Sequence, residues 1–195
     1  MRTTNEVNTH NGYEFVDLGL PSGTLWATCN VGATSPEQAG LYFAFGETTG
    51  FTAEQVEKGI RKFDSANHTA SKIFYELTLE DDAAHTCMGG KWRMPTERQF
   101  KELIDNCNVV WTANYGGTGV TGRVFTSKVN GNSVFLPTAG YCYGSSVGDV
   151  GSRGSYWSAT CLSSCGWGLG FGSGDQCLGR NSMYYGFSVR GVCKK

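Results

Sequence analysis

Between Gly166 and Gly174 the chain reads GWGLGFGSG, with glycine at every second position and Trp167, Leu169 and Phe171 in between. A period of two belongs to a strand, because successive side chains point to opposite faces of a sheet. The three large apolar residues therefore share one face, and the glycines share the other. Glycine has low strand propensity and loses more backbone entropy on folding than other residues. Such a strand packs one face and leaves the other bare, so the bare face needs a reason beyond local propensity.

The rest of the chain sets the context for that strand. Residues 1–12 are polar and read as a loose leader before a single domain over 13–195. YEFVDLGLPSGTLWATCNVGA reads as two strands around a Pro-Ser-Gly turn, with Tyr13, Phe15, Leu25 and Trp26 as core. Ser35 as cap, Pro36 at the first helical position and Gly40 as stop predict a short helix. Residues 50–86 carry more charge, in EQVEKGIRKF and SKIFYELTLEDDAA, and read as an irregular insertion with short helical pieces. Thr96 can cap a helix running to about Cys107, since Phe100, Leu103, Ile104 and Cys107 recur at helical spacing. Asn130-Gly131 marks a hairpin, and from Gly144 onward Gly, Ser and aromatics leave little room for helix. Two helices among many short strands predict an α+β domain.

The totals narrow function by exclusion. A chain of 195 residues can bury its own core, and a net charge of -1 offers no electrostatic footprint for nucleic acid. No apolar run reaches membrane-spanning length, and MRTTNEVNTHNGYEF lacks the apolar stretch of a secretory signal. The chain is then either used without secretion or a mature or trimmed form. Eight cysteines stand at Cys29, Cys87, Cys107, Cys142, Cys161, Cys165, Cys177 and Cys193, with no CxxC pair. His10, His68 and His85 are not arranged around them, so the spacing favours free thiols, leaves one or two disulfides open and argues against metal. Glu80, Asp81 and Asp82 form an acidic run of the kind found at solvated faces and helix starts.

LGLPSGTLWATCNVGA, GGKWRMPTERQFKELI, GNSVFLPTAGY, YWSAT and YYGFSVR resemble the Fibrobacter succinogenes major paralogous domain family. The matching blocks run in order from Tyr13 to Cys193. That family is similar to the formylglycine-generating-enzyme group of C-type-lectin-like domains, so the resemblance implies a C-type-lectin-like fold with two main helices and mixed short β-strands. Some members of the wider fold are variable proteins of diversity-generating retroelements, in which adenines of a short 3′ segment are replaced and AAC codons are the usual targets. Randomising the first two bases of AAC yields Gly, Cys, Arg, Ser, Asp, Tyr, Leu or Phe among others, and never Trp, Met, Gln, Lys or Glu. Within a segment of about 155–190, Cys161, Cys165, Gly166, Gly168, Gly170, Gly172, Cys177, Gly179 and Arg180 are reachable from AAC, whereas Trp167, Gln176 and Met183 are not. Together with Asn181 and Tyr184, the reachable residues are the expected ligand-binding, variable positions. The implied partner is a protein or glycan on a cell surface, bound by a protein displayed on a cell or virion.

Other readings stay open at this point. An undiversified surface module of the same family would use the glycines as a fixed choice that lets another backbone or a ligand approach closely. An enzyme of the formylglycine-generating type would need two converging cysteines, and GFSVRGVC is similar to its closing motif without a matching partner cysteine. Calcium-dependent sugar binding lacks its usual Glu-Pro-Asn, Gln-Pro-Asp and Trp-Asn-Asp triplets, and Asp149 and Asp175 are the only acids late in the chain. Calcium-free stacking of a sugar on Tyr143, Trp167 or Tyr184 remains available. No catalytic residue, cofactor or metal is expected, and Arg93 and Arg190 are read as braces beneath the ligand face.

Overall fold

The computed structural model describes residues 8–69 and 75–195. In chain order its elements begin with β1 (Thr9–His10), β2 (Tyr13–Asp17), β3 (Thr24–Asn30), β4 (Tyr42–Phe43), α1 (Ala53–Glu57), α2 (Ala83–Met88) and α3 (Glu97–Asn106). They continue with β5 (Cys107–Thr112), β6 (Gly122–Ser127), β7 (Ser133–Pro137), β8 (Tyr141–Tyr143), β9 (Ser146–Gly148) and β10 (Gly154–Leu162). The last are β11 (Cys165–Phe171), β12 (Gln176–Ser182), β13 (Phe187–Ser188) and β14 (Arg190–Lys194).

Strand occupies 42% of the structure and helix 13%, so the protein is mostly β. The α+β expectation, with a C-type-lectin-like fold and two main helices, is corrected by this: the sheets are curled and antiparallel apart from the β10–β13 pair, and the α-helices are short. The helix expected over Ser35–Gly40 does not form. Thr34 donates its amide to Gln38 Oε1 at 2.9 Å and Ser35 Oγ donates to Glu37 Oε1 at 2.6 Å, so polar side chains close turns in place of a helix. Gly40, at φ 73°, then returns the chain so that the Leu41 amide meets the Val31 carbonyl at 2.9 Å. Within the charged region, α1 and α2 stop after five and six residues, and residues 71–74 of SKIFYELTLEDDAA lie outside the described residues.

The helix read at Thr96 is present. Thr96 Oγ1 accepts from the Gln99 amide at 3.2 Å and Gln99 Oε1 accepts from the Thr96 amide at 2.9 Å, a reciprocal cap. Phe100 and Leu103 bury their side chains against Trp26, Leu169 and Phe171. Cys107 belongs to the first residue of β5 and not to the helix.

The five-stranded sheet β12-β11-β10-β13-β4 lies between two core clusters. Tyr156, Leu169 and Phe171 enter one cluster, and Trp157, Ala159, Cys161 and Phe187 enter the other. Alternation along β10 thus divides two bodies of apolar packing, where the sequence pattern suggested one packed face. A second sheet, β1-β2-β3-β14, begins inside the segment read as leader. Residues 1–7 lie outside the described residues, but Thr9 and His10 pair with Glu14 and Tyr13 across a turn at Asn11 and Gly12. Trp92 Nε1 donates to the His10 carbonyl at 2.8 Å, which docks this hairpin on the chain beyond α2. Tyr13, read as core, is 39% exposed and donates its hydroxyl to the Cys87 carbonyl at 3.1 Å. Leu25 and Trp26 are buried as expected.

Arg190 is fully buried at the start of β14. Its guanidinium donates to Asn30 Oδ1 at 3.0 Å, to the Ala27 and Thr28 carbonyls at 2.9 and 2.6 Å, and to the Phe135 carbonyl at 2.9 Å. One cation therefore ties β14 to β3 and to β7. Burial pushes its pKa down, and an arginine held by so many acceptors keeps its charge. Arg93 differs: its backbone pairs with Val192, and among the described residues its side chain has no hydrogen-bond or ion-pair partner. Replacing Arg190 with methionine should strand the acceptors it serves and cost on the order of 3–5 kcal/mol in urea unfolding. A loss below about 1 kcal/mol would mean that the guanidinium contributes little beyond its volume.

Candidate ligand-binding face

The register of β11 explains its glycines. Gly166 pairs with Asn181 on one side and Cys161 on the other, Gly168 with Gly179 and Trp157, and Gly170 with Cys177 and Ser155. A Cβ added at Gly166 would meet the Phe45 ring at 2.4 Å, and one at Gly168 the Tyr156 carbonyl at 2.8 Å. Real Cβ atoms do not approach that closely, so these two glycines admit a ring and a backbone into the sheet surface. Gly170 is different: its Cβ would sit 3.4 Å from Arg153 Nη2 and 3.9 Å from Cys177 Sγ, which is ordinary contact. Gly172 has only the Ser152 carbonyl at 3.6 Å, and Gly179 has nothing within 4 Å.

The eleven expected site residues therefore divide. Cys161, Gly166 and Gly168 are buried, and Gly166 and Gly168 lie in close contact with Phe45 and the Tyr156 carbonyl. Gly170, Gly172, Cys177, Gly179, Arg180 and Asn181 lie where side chains can change without touching the core, along β12 and the facing end of β11. β12 is an edge strand, so its outer side is unpaired by other strands. Cys165 and Tyr184 are partly buried at the far end. Trp167 is also only partly buried, opposite Arg180, whereas Leu169 and Phe171 are core.

Two anchors hold this hairpin. Buried Arg123, on β6, donates from Nε and Nη2 to the Gly172 carbonyl at 3.0 and 2.9 Å and from Nη1 to Gln176 Oε1. At the other end the Met183 carbonyl accepts from the Phe45 amide at 2.8 Å. Beyond it, Tyr184 and Tyr185 meet Tyr141 and Tyr143 in a cluster centred on Tyr185, with ring centroids 5.1 to 5.9 Å from it. Tyr185 stacks at 9° on Phe187, which in turn stacks on Trp157 at 4.2 Å. Burial and the neighbouring tyrosines push the Tyr185 hydroxyl pKa up. Beside this cluster, Tyr141, Arg153, Ser155, Asn181, Tyr185 and Phe187 line a pocket of about 190 Å³. Asp149, Ser152, Arg153, Gly170, Gly172, Asp175 and Cys177 contribute to a neighbouring shallow one of about 430 Å³.

Sequence reasoning missed Arg123, Arg153, Tyr141, Ser155 and Tyr185. Gln176 carried a usable signal, since it stands among changeable residues yet cannot arise from AAC; its partner Arg123 supplies the structural reason. No local signal marked Arg153, which reaches the face from the turn that follows β9. Among the described residues no three His, Cys, Asp or Glu side chains converge as a metal site. His68 Nε2 lies 2.9 Å from the Phe45 carbonyl and His85 Nδ1 lies 3.1 Å from the Trp92 carbonyl. Asp82 caps α2, accepting from the His85 and Met94 amides, and burial pushes its carboxyl pKa up. Cys193 is buried in β14, where desolvation raises its thiol. No family model, no curated protein and no solved structure matches the chain.

Gly166→Ala should destabilise the protein by about 1–3 kcal/mol, because Phe45 must move. Gly179→Ala should change it by no more than about 0.5 kcal/mol. Equal costs in chemical denaturation would contradict the two-sided packing of β11. Thiol labelling at neutral pH, read by mass spectrometry, should modify exposed Cys177 rapidly. It should spare Cys107 and Cys142, whose thiols burial pushes up to about 11 and about 12. Rapid labelling of Cys142 would place it in an open site.

Proposed function

We propose that this chain is a ligand-recognition protein whose β11–β12 face is diversified by a retroelement. The observation that carries the reading is the division of that hairpin. Its packing positions are locked against Phe45, Tyr156 and the two core clusters, while Gly170, Gly172, Cys177, Gly179, Arg180 and Asn181 border open space. Exposed substitutions change stability by only about 0.5 kcal/mol, so a repertoire can be tolerated there. Tyrosine and arginine dominate binding hot spots, and Tyr141, Tyr143 and Tyr185 with Arg153 provide anchors beside the changeable positions. Recognition occurs without chemistry, and the partner is a protein or glycan at a cell surface.

A second reading, an undiversified surface module related to the family resembled above, draws on Gly166 and Gly168, which packing alone accounts for. Sequencing the DNA around the gene separates the two. The expected result is a reverse transcriptase and a near-repeat of the codons for residues 155–190 that differs at adenines. The differences should concentrate at codons 170, 172, 177 and 179–181 and avoid 161, 166 and 168. A locus without any near-repeat would overturn diversification and leave the module reading.

A further inference from the structure

We propose that the small pocket beside the tyrosine cluster binds a hexuronic acid residue of a glycan without calcium. The proposal rests on the reading of this face as a recognition surface and names the chemistry of one ligand class.

The pocket brings together the parts that a carboxylated sugar ring requires. Tyr185 and Phe187 stack nearly parallel, with ring centroids 6.1 Å apart and an interplanar angle of 9°, and Tyr141 stands edge-on to Tyr185 at 90°. Phe187 is itself buried between Tyr185 and Trp157, so the half-buried rings of Tyr141 and Tyr185 are those left to meet the apolar C–H face of a pyranose. Ser155 lies buried at the edge of the pocket, and Asn181, whose Nδ2 donates to the Gly179 carbonyl at 3.2 Å, offers its amide oxygen to a sugar hydroxyl. Arg153 is the one charged residue lining the pocket. Among the described residues its guanidinium has no ion pair and no hydrogen bond, although Asp149 and Asp175 line the adjoining hollow with it. An unpaired planar fork beside stacked rings selects a carboxylate, because arginine binds that group in two parallel hydrogen bonds. The volume of about 190 Å³ suits a single pyranose ring.

The geometry also ties the pocket to the changeable positions. Asn181 lines it directly, and a side chain at residue 170 would lie against Arg153 Nη2. The glycine now at position 170 leaves the guanidinium unobstructed, whereas an acid there would neutralise it.

The test uses methyl β-glucuronide and methyl β-glucoside, which share a ring and differ at one carboxylate, with saturation-transfer NMR and titration on the intact chain. The glucuronide should bind about tenfold more tightly, the scale of one charge-assisted contact. Arg153→Gln should abolish that preference, and so should Gly170→Glu, which places a carboxylate beside the arginine. Tyr185→Leu should weaken both sugars together. Binding of neither sugar, equal binding of both, or a preference that survives Arg153→Gln would each overturn the proposal. The retroelement reading fails separately: a near-repeat in the DNA with no glucuronide binding sinks only the pocket, and glucuronide binding without a near-repeat sinks only diversification.

Discussion

A buried arginine that has no carboxylate partner among the described residues organises this fold. Arg190 sits where solvent cannot reach it, so every one of its donors must find an acceptor in the protein. Those acceptors come from the Asn30 side chain and from the Ala27, Thr28 and Phe135 carbonyls, on strands far apart in sequence. Tyr156 joins the same polar centre: its hydroxyl donates to the Pro137 carbonyl at 2.8 Å and accepts from Asn30 Nδ2 at 3.3 Å. Burial raises its pKa to about 12, which keeps it a neutral donor. Short strands with curled pairing have few ladder bonds of their own, and this centre fixes how β3, β7, β10 and β14 stand together.

The glycine-rich strand depends on that arrangement. With β10 held by Tyr156, its next residue Trp157 must face the opposite way, and β11 pairs between two apolar bodies. Leu169 and Phe171 fill one side; Phe45, Trp157 and Phe187 fill the other. Glycine at 166 and 168 is what lets the second body come so close, while Gly154 across the ladder accepts the Phe171 ring in the same manner. The bare face is therefore two things along one strand: a packing surface at Gly166 and Gly168 and an open one from Gly170 onward.

Rigid support and freedom to vary are separated by position within a single hairpin. Arg123 pins the turn through the Gly172 carbonyl and Gln176, and the Phe45 amide pins the return through Met183. Between these anchors, edge strand β12 carries exposed Cys177 and Arg180 and an open Gly179, while its Leu178 packs against the core. The clustered tyrosines come from β8 and from the chain after β12.

Several features were legible in the sequence because they are local. The reciprocal Thr96–Gln99 cap and the apolar face of α3 lie within one helix, the Asn130-Gly131 turn lies within one hairpin, and the strand period of Leu169 and Phe171 needs only its neighbours. Arg190 was legible as a brace because a cation among apolar residues must be solvated by protein. The helix expected at Ser35–Gly40 failed because side-chain oxygens there satisfy turn amides, an outcome that competes with capping on equal local terms. The roles of Gly166 and Gly168, the emptiness around Gly179 and the shared pocket of Arg153 and Tyr185 were decided by tertiary structure alone. Each depends on which distant ring, carbonyl or open space faces the residue, and alternation along a strand states which side a residue takes without stating what waits there.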